Sequence, residues 1–186
     1  MRSTFDKFSA HGYEVTPNRV IQGFCVTHEI DGILVRNGET TYLEVKHHID
    51  PHSYTPFDVT LAAKAKWEDI NEGFRRSLSN HFFDRVLIVC NTKMTLHAKT
   101  YADCVGLDHL GWNEPYGQGF DSLIDEKELY PVTILKSLKE EERDALSGSG
   151  ILTLKQLLEK RKEIVNLSKV RVSRLIKEAK GIFDLR

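Results

Sequence analysis

The chain has 186 residues, 40% of them hydrophobic and 28% charged, with a formal net charge of −1. This composition excludes disordered and fibrous classes, and no apolar run approaches the roughly 18–20 residues that span a bilayer. The neutral total hides two unlike parts: Lys136–Arg186 carries 13 basic and 8 acidic side chains, and the 135 residues before it carry 13 basic and 19 acidic, an asymmetry that points to two modules.

The opening MRSTFDKFSA lacks an apolar signal stretch, so a cytoplasmic location is expected. Cys25, Cys90 and Cys104 have no CxxC spacing and read as reduced, mostly buried thiols. Tyr13–Thr16 is a short strand-prone run that Pro17-Asn18 is expected to stop, and Gly23–Val35 is a longer run. Asn37-Gly38 separates it from Thr40–His47; both turn residues tolerate positive φ, a strong hairpin signal. A loop with Pro51 and Pro56 precedes a helical stretch over Phe57–Leu78. Arg85–Cys90 is the uninterrupted apolar run of a strand buried on both faces, Leu96–Val105 has a helical pattern, and Leu107–Trp112 reads as a last short strand. The expected fold is α/β, a mixed central sheet flanked by helices.

Glycines and polar residues then fill Asn113–Ser122, a boundary loop between expected domains 1–122 and 123–186. The second is a small all-α domain with helices over Leu138–Leu146, Thr153–Arg161 and Ser168–Lys180. Ser137 with Glu140, and Thr153 with Gln156, have capping-box spacing.

The chemistry concentrates in the hairpin. Side chains alternate across a strand, so Glu29 and Asp31 share one face of its first strand, and Tyr42, Glu44, Lys46 and His48 share one face of its second. Leu43 and Val45 look like the buried side, which lets Asp31, Glu44 and Lys46 converge. Paired carboxylates bind a hard divalent cation such as Mg²⁺, and a nearby ammonium can hold the attacking water, a set suited to phosphodiester hydrolysis. A solvated strand face with a cross-strand salt bridge is the competing reading.

Asp31, then Glu44-Val45-Lys46 after a 12-residue gap, resembles the PD-(D/E)XK nuclease signature. HGYEVTPNRVIQGFCVTHEIDGIL, YLEVKHH and RVLIVCNTKMTLHAKTYADCVGLDHLGW are similar to the Mrr-like restriction-endonuclease group, over about residues 8–160. The resemblance implies a restriction-endonuclease-like fold and a Mg²⁺-dependent DNA endonuclease, with Mn²⁺ as a substitute ion. It makes Asp31 and Glu44 the metal ligands and Lys46 the residue that positions the water. His28 and Glu29 stand where this group carries the same residues and become candidates for an added ligand or a supporting contact. The similar subgroup often follows an ATP-cone; none precedes the hairpin here, so nucleotide binding is not expected. The group places a glutamate on a helix before the first strand, where this chain has Asp6 as its sole acid. That departure motivates the alternative of a catalytically inactive DNA-binding or regulatory module retaining the fold. Cleavage of two strands would favour a homodimer.

His47, His48 and His52 follow the lysine without zinc-finger spacing; His48 is a candidate phosphate contact, against a plain polar strand end. Asn91-Thr92-Lys93 follows the buried strand, making Lys93 a candidate DNA contact or part of a turn capped by Thr92. Trp67 and Trp112 read as core or interface residues rather than base-stacking platforms. The resemblance puts Lys64 and Lys66 near where such nucleases face substrate, against the reading of plain helix-surface lysines. In the tail, LKEEERDALSGSGILTLKQLL is similar to a helix-hairpin-helix module, and 164–182 looks like a degenerate second copy. That resemblance makes Gly148, Gly150, Lys155, Arg171, Arg174 and Lys177 candidate DNA-backbone contacts. A packing domain with a solvated basic helix, or a protein–protein contact, is the competing reading.

Overall fold

The structure is a computed structural model, which describes residues 2–162, 164 and 167–184. The chain divides into two compact units, Met1–Leu123 and Ile124–Arg186.

In the first unit, α1 (Arg2–Ala10) leads into β1 (Glu14–Gln22), β2 (Thr27–Arg36) and β3 (Glu39–Lys46). Then come β4 (Tyr54–Thr55), α2 (Phe57–Arg75), β5 (Arg85–Cys90), β6 (Lys93–Met94), α3 (Leu96–Val105) and β7 (Asp108–Leu110). The main sheet has the order β1-β2-β3-β5-β7. Its first three strands are antiparallel and β3, β5 and β7 are parallel, the expected mixed α/β sheet. β4 and β6 form a separate parallel pair.

Asn37 and Gly38 have φ of 55° and 84°, which closes the β2–β3 hairpin with a twist suited to its strands. The side chain and backbone N–H of Asp84 bind Thr40 and start β5 in register beside β3. Val86, Ile88, Val89 and Cys90 of β5 are buried, as an internal parallel strand requires. On α2, Ala63 and Ile70 pack into the cluster of Ile21, Ile33, Tyr42, Phe83 and Ile88. A Cβ on Gly32 would meet the Phe5 ring at 3.0 Å, so α1 lies close over the opposite face of β2.

Several expectations are corrected, among them the burial of the thiols: Cys90 is buried, but Cys25 and Cys104 are exposed. β1 does not stop at Pro17 but runs through it: β1 is an edge strand, where a missing N–H is tolerated. Gly23–Val35 is not one strand, because Gly23–Val26 turn the chain between β1 and β2. Gly23 donates to the Val26 carbonyl at 2.8 Å, and Phe24 to the carbonyl of Asp69 on α2 at 2.9 Å. The expected boundary loop contains the start of α4 (Phe120–Glu126), whose Asp121 accepts from Asn113 N at 2.6 Å.

The second unit holds a 3-10 turn (Val132–Ile134), α5 (Glu140–Gly148), α6 (Leu154–Glu159) and α7 (Lys169–Asp184). Leu146, Ile151, Leu154, Leu157, Leu175 and Ala179 are buried. Thr153 and Gln156 form the expected capping box on α6. Ser137 does not cap α5: its N–H and hydroxyl both bond to Glu178 of α7, and Glu142 accepts from Lys139 N at 2.9 Å instead. The expected second helical copy begins around 163, 165 and 166, which lie outside the described residues; the helix it contributes is α7. No helix among the described residues is long and apolar enough to cross a membrane.

Candidate functional site

Gly32 pairs with Leu43 and Ile33 with Tyr42 across the hairpin, and that register carries Asp31 to the level of Glu44. Asp31 Oδ2 accepts from Val45 N at 2.7 Å. Glu44 is only 5% exposed. Lys46 Nζ lies 2.6 Å from its Oε1 and Lys66 Nζ 3.3 Å from its Oε2, and the Tyr42 hydroxyl also donates to Oε2. Lys66 belongs to α2 and reaches the Glu29 carbonyl as well, at 3.3 Å.

Burial pushes the Glu44 carboxyl up, but the hydrogen bonds from Lys46 and Tyr42 and the charge of Lys66 outweigh it and hold the group below its usual value. Asp31 moves the other way. Burial raises its carboxyl, the Val45 N–H only partly offsets this, and the Glu44 charge adds to the rise. Burial lowers the Lys46 ammonium, and the Glu44 contact more than restores it, leaving it raised. Two neighbouring carboxylates thus sit in different environments, Glu44 charged and clamped, Asp31 desolvated and facing a like charge.

The hard-oxygen pair Asp31 and Glu44 fits Mg²⁺, which is commonly held by one or two carboxylates and completes its shell with water and phosphate. Among the described residues no group of three or more His, Cys, Asp or Glu side chains gathers as a metal cluster, so the protein's share of such a shell is this pair. Both oxygens of Glu44 already carry donors, and an entering ion would take the place of one of them.

The structure brings Asp31, Glu44 and Lys46 together and places the other candidates elsewhere. His28 Nε2 bonds Asp69 Oδ2 at 2.7 Å, and Asp69 also accepts from Cys25 N at 2.8 Å and Val26 N at 3.3 Å. His28 thereby ties β2 and the β1–β2 turn to α2. The Glu29 side chain is exposed. His48 is held by Asn91, whose Oδ1 accepts from His48 N at 2.8 Å, and by Thr55 Oγ1 at 2.9 Å from its ring. Lys93 is exposed on β6. Trp67 donates its indole N–H to the Phe83 carbonyl at 2.8 Å, as a core residue does, whereas Trp112 is 48% exposed and departs from the core reading. Lys66 and Tyr42 are the site residues that sequence reasoning passed over. Tyr42 shares the parity of Glu44, a signal that was present; for Lys66 only the family resemblance hinted at the substrate side, and its contact with Glu44 depends on how α2 docks.

In the second unit Lys155, Arg174, Lys177, Gly148 and Gly150 are exposed. Arg171 is not offered to a ligand: it binds Glu142 through two nitrogens, each at 2.6 Å, and the Ser137 carbonyl at 2.9 Å. Its guanidinium holds the Glu142 carboxyl down to about 2, and the pair joins α5 to α7.

Residues 130–183 match the family described as AF1548-like, C-terminal. An uncharacterized protein of Archaeoglobus fulgidus is 35% identical over 176 residues, which cover 92% of this chain and 95% of that protein. The crystal structure of a protein of unknown function, AF1548, aligns with a TM-score of 0.75 at 32% identity, covering 99% of this chain and 100% of that one. With such similarity over nearly its whole length, the chain belongs to the AF1548-like family.

Proposed function

We propose that the chain is a metal-dependent DNA endonuclease of the PD-(D/E)XK kind, with Mg²⁺ as its ion and Mn²⁺ as a substitute. The observation that carries this reading is the buried Glu44 carboxylate beside Asp31, with the Lys46 ammonium 2.6 Å from it. A surface salt bridge has no need of burial, a second carboxylate or a second lysine; burial and the second carboxylate raise the cost of the cluster, and the Lys66 charge offsets part of it. The similarity of the hairpin to Mrr-like restriction endonucleases supports the same assignment.

Asp31 and Glu44 would hold the ion, which when bound supplies Lewis-acid polarisation of a phosphoryl oxygen and an acidified water. Lys46, on the strand of Glu44 and partly exposed, would orient the water toward phosphorus. Lys66 and Tyr42 would fix Glu44 so that its charge does not wander as substrate binds. The exposed basic residues of the second unit, Lys155, Arg174 and Lys177, would take the DNA backbone as nonspecific phosphate contacts.

Lys46→Ala tests the assignment. With Mg²⁺ saturating, it should keep most duplex binding and lose Mg²⁺-dependent cleavage by roughly a hundredfold or more, on the scale of removing a positioned catalytic group. Undiminished cleavage would sink the assignment. DNA binding without cleavage or Mg²⁺ uptake by the unmodified chain would favour the inactive DNA-binding module instead.

A further inference from the structure

A cavity of about 560 Å³ opens beyond the carboxyl ends of β3 and β5, lined by His52, Tyr54, Asn91, Thr92, Lys93 and Trp112 among others. Asn91 ties it to the carboxylate cluster: its N–H donates to the Lys46 carbonyl at 3.4 Å, and its side-chain amide clamps both backbone groups of His48. Large aromatic rings on this surface are left in solvent, Tyr54 57% and Trp112 48% exposed. They are nevertheless held on built backbone. Tyr54 pairs with Lys93 in the β4–β6 ladder. Trp112 N donates to the Thr92 carbonyl at 2.6 Å, and its loop is anchored by Glu114, which accepts from Met94 N at 3.1 Å and meets Lys99 at 2.7 Å.

Exposed aromatic faces held on built backbone and an exposed ammonium at the rim match the parts of a nucleotide. The rings stack on the base and Lys93 meets phosphate. We infer that this cavity binds an unpaired nucleobase next to the cleavage site, so that the preferred substrate is DNA with a single-stranded segment rather than continuous duplex. A base inside a duplex offers its face only to its neighbours in the stack, and a cavity of this kind cannot reach it without extrusion. The inference rests on the DNA-endonuclease reading and adds to it the form of the substrate.

The test uses the full chain in EDTA, with a fluorescein-labelled single-stranded oligodeoxynucleotide and the matching duplex, read by anisotropy and by tryptophan emission. The unmodified chain should prefer the single strand and lose tryptophan emission on binding it. Trp112→Ala and, separately, Tyr54→Ala should weaken single-strand binding roughly tenfold while changing duplex binding less than about twofold, and Trp112→Phe should restore most of the loss. Equal weakening on both DNAs, no weakening, or unchanged tryptophan emission on binding by the unmodified chain overturns the inference. That last measurement needs no variant to fold. If duplex binds and is cleaved when Mg²⁺ is restored, the nuclease reading survives such a result; if neither DNA binds, both fall together.

Discussion

Asp69 should be the main pin between α2 and the β1–β2 turn. Its carboxylate collects Cys25 N, Val26 N and the His28 ring, and a Cβ on Gly23 would stand 2.1 Å from Asp69 Oδ2, so nothing larger than glycine fits beside it. Desolvation opposes ionisation there, but the hydrogen bonds from Cys25, His28 and Val26 win and hold the carboxyl down to about 2. Against an ordinary aspartate near 3.9, that displacement is worth about 2.5 kcal/mol. The side chain is 15% exposed, and solvent screening trims the figure to about 1–2 kcal/mol. Asp69→Asn should therefore lower the urea-unfolding free energy of the first unit by about 1–2 kcal/mol at pH 7, or Tm by roughly 4–8 °C. Because the folded value lies below the unfolded one, the stabilisation is complete above the ordinary aspartate range and is lost as pH falls toward 2. The difference between parent and variant should shrink by roughly half at pH 3. The same substitution removes the anion that raises the Cys25 thiol through a hydrogen bond, so Cys25 should alkylate faster, read by peptide mapping. A destabilisation equal at pH 7 and pH 3, or none at pH 7, would refute the reasoning.

Asp31→Asn should raise the stability of the metal-free protein at neutral pH, because Asp31 is the carboxylate that burial and Glu44 disfavour in its charged form. The gain should fade as pH falls into the ordinary aspartate range, where the parent's carboxyl is protonated. Calorimetric titration with Mn²⁺ should show the variant's affinity reduced tenfold or more. Gly148→Ala should stabilise the second unit by about 0.5–1 kcal/mol, since α5 is helical there and an added Cβ meets nothing within 4 Å; a loss would point to a strained turn. Gly73→Ala should destabilise by about 1–3 kcal/mol, its Cβ falling 2.8 Å from the Gly23 carbonyl carbon. Arg171→Ala should lower the Tm of the second unit, because it strands the buried Glu142, and leave the salt dependence of duplex binding unchanged. Lys177→Ala should leave Tm in place and reduce the slope of log affinity against log salt by about 1.

What was legible from sequence is what local chemistry decides. Arg85–Cys90 and Leu96–Val105 have their expected bounds because burial on both faces, and a Thr95 cap with Gly106 at φ 75°, are encoded within a few residues. The hairpin that aligns Asp31 with Glu44 was legible because Asn37-Gly38 admits few other turns. The turn at Gly23–Val26 was not, since its donors are satisfied by Asp69 far along the chain. Nor was the displacement of Ser137 as a cap: the Glu178 carboxylate, from a distant helix, accepts from both its N–H and its hydroxyl, and Glu140 could take only the N–H. Arg171 shows the limit most plainly. A basic residue on a basic helix reads as a phosphate contact until a buried glutamate from another helix is found to hold it.

The two carboxylates and two lysines of the hairpin site, Asp31, Glu44, Lys46 and Lys66, sum to zero when all are charged. The acid excess of the first 135 residues therefore lies elsewhere, and the cluster itself does not repel phosphate. A neutral cluster can be stable without an ion, which lets the fold form before metal is present and separates this site from those whose folding depends on it. On the proposed function it also sets how metal and DNA would couple. A divalent cation makes the cluster positive beside the place where a phosphate would lie, so each ligand improves the other's electrostatics. By linkage, if the chain binds both as proposed, Mg²⁺ would raise DNA affinity by the same factor by which DNA raises Mg²⁺ affinity. Lys46→Ala leaves the cluster one charge more negative, so in the absence of metal the variant should bind DNA more weakly than the parent. Saturating Mg²⁺ should narrow that gap, because the ion neutralises the carboxylate that Lys46 no longer does.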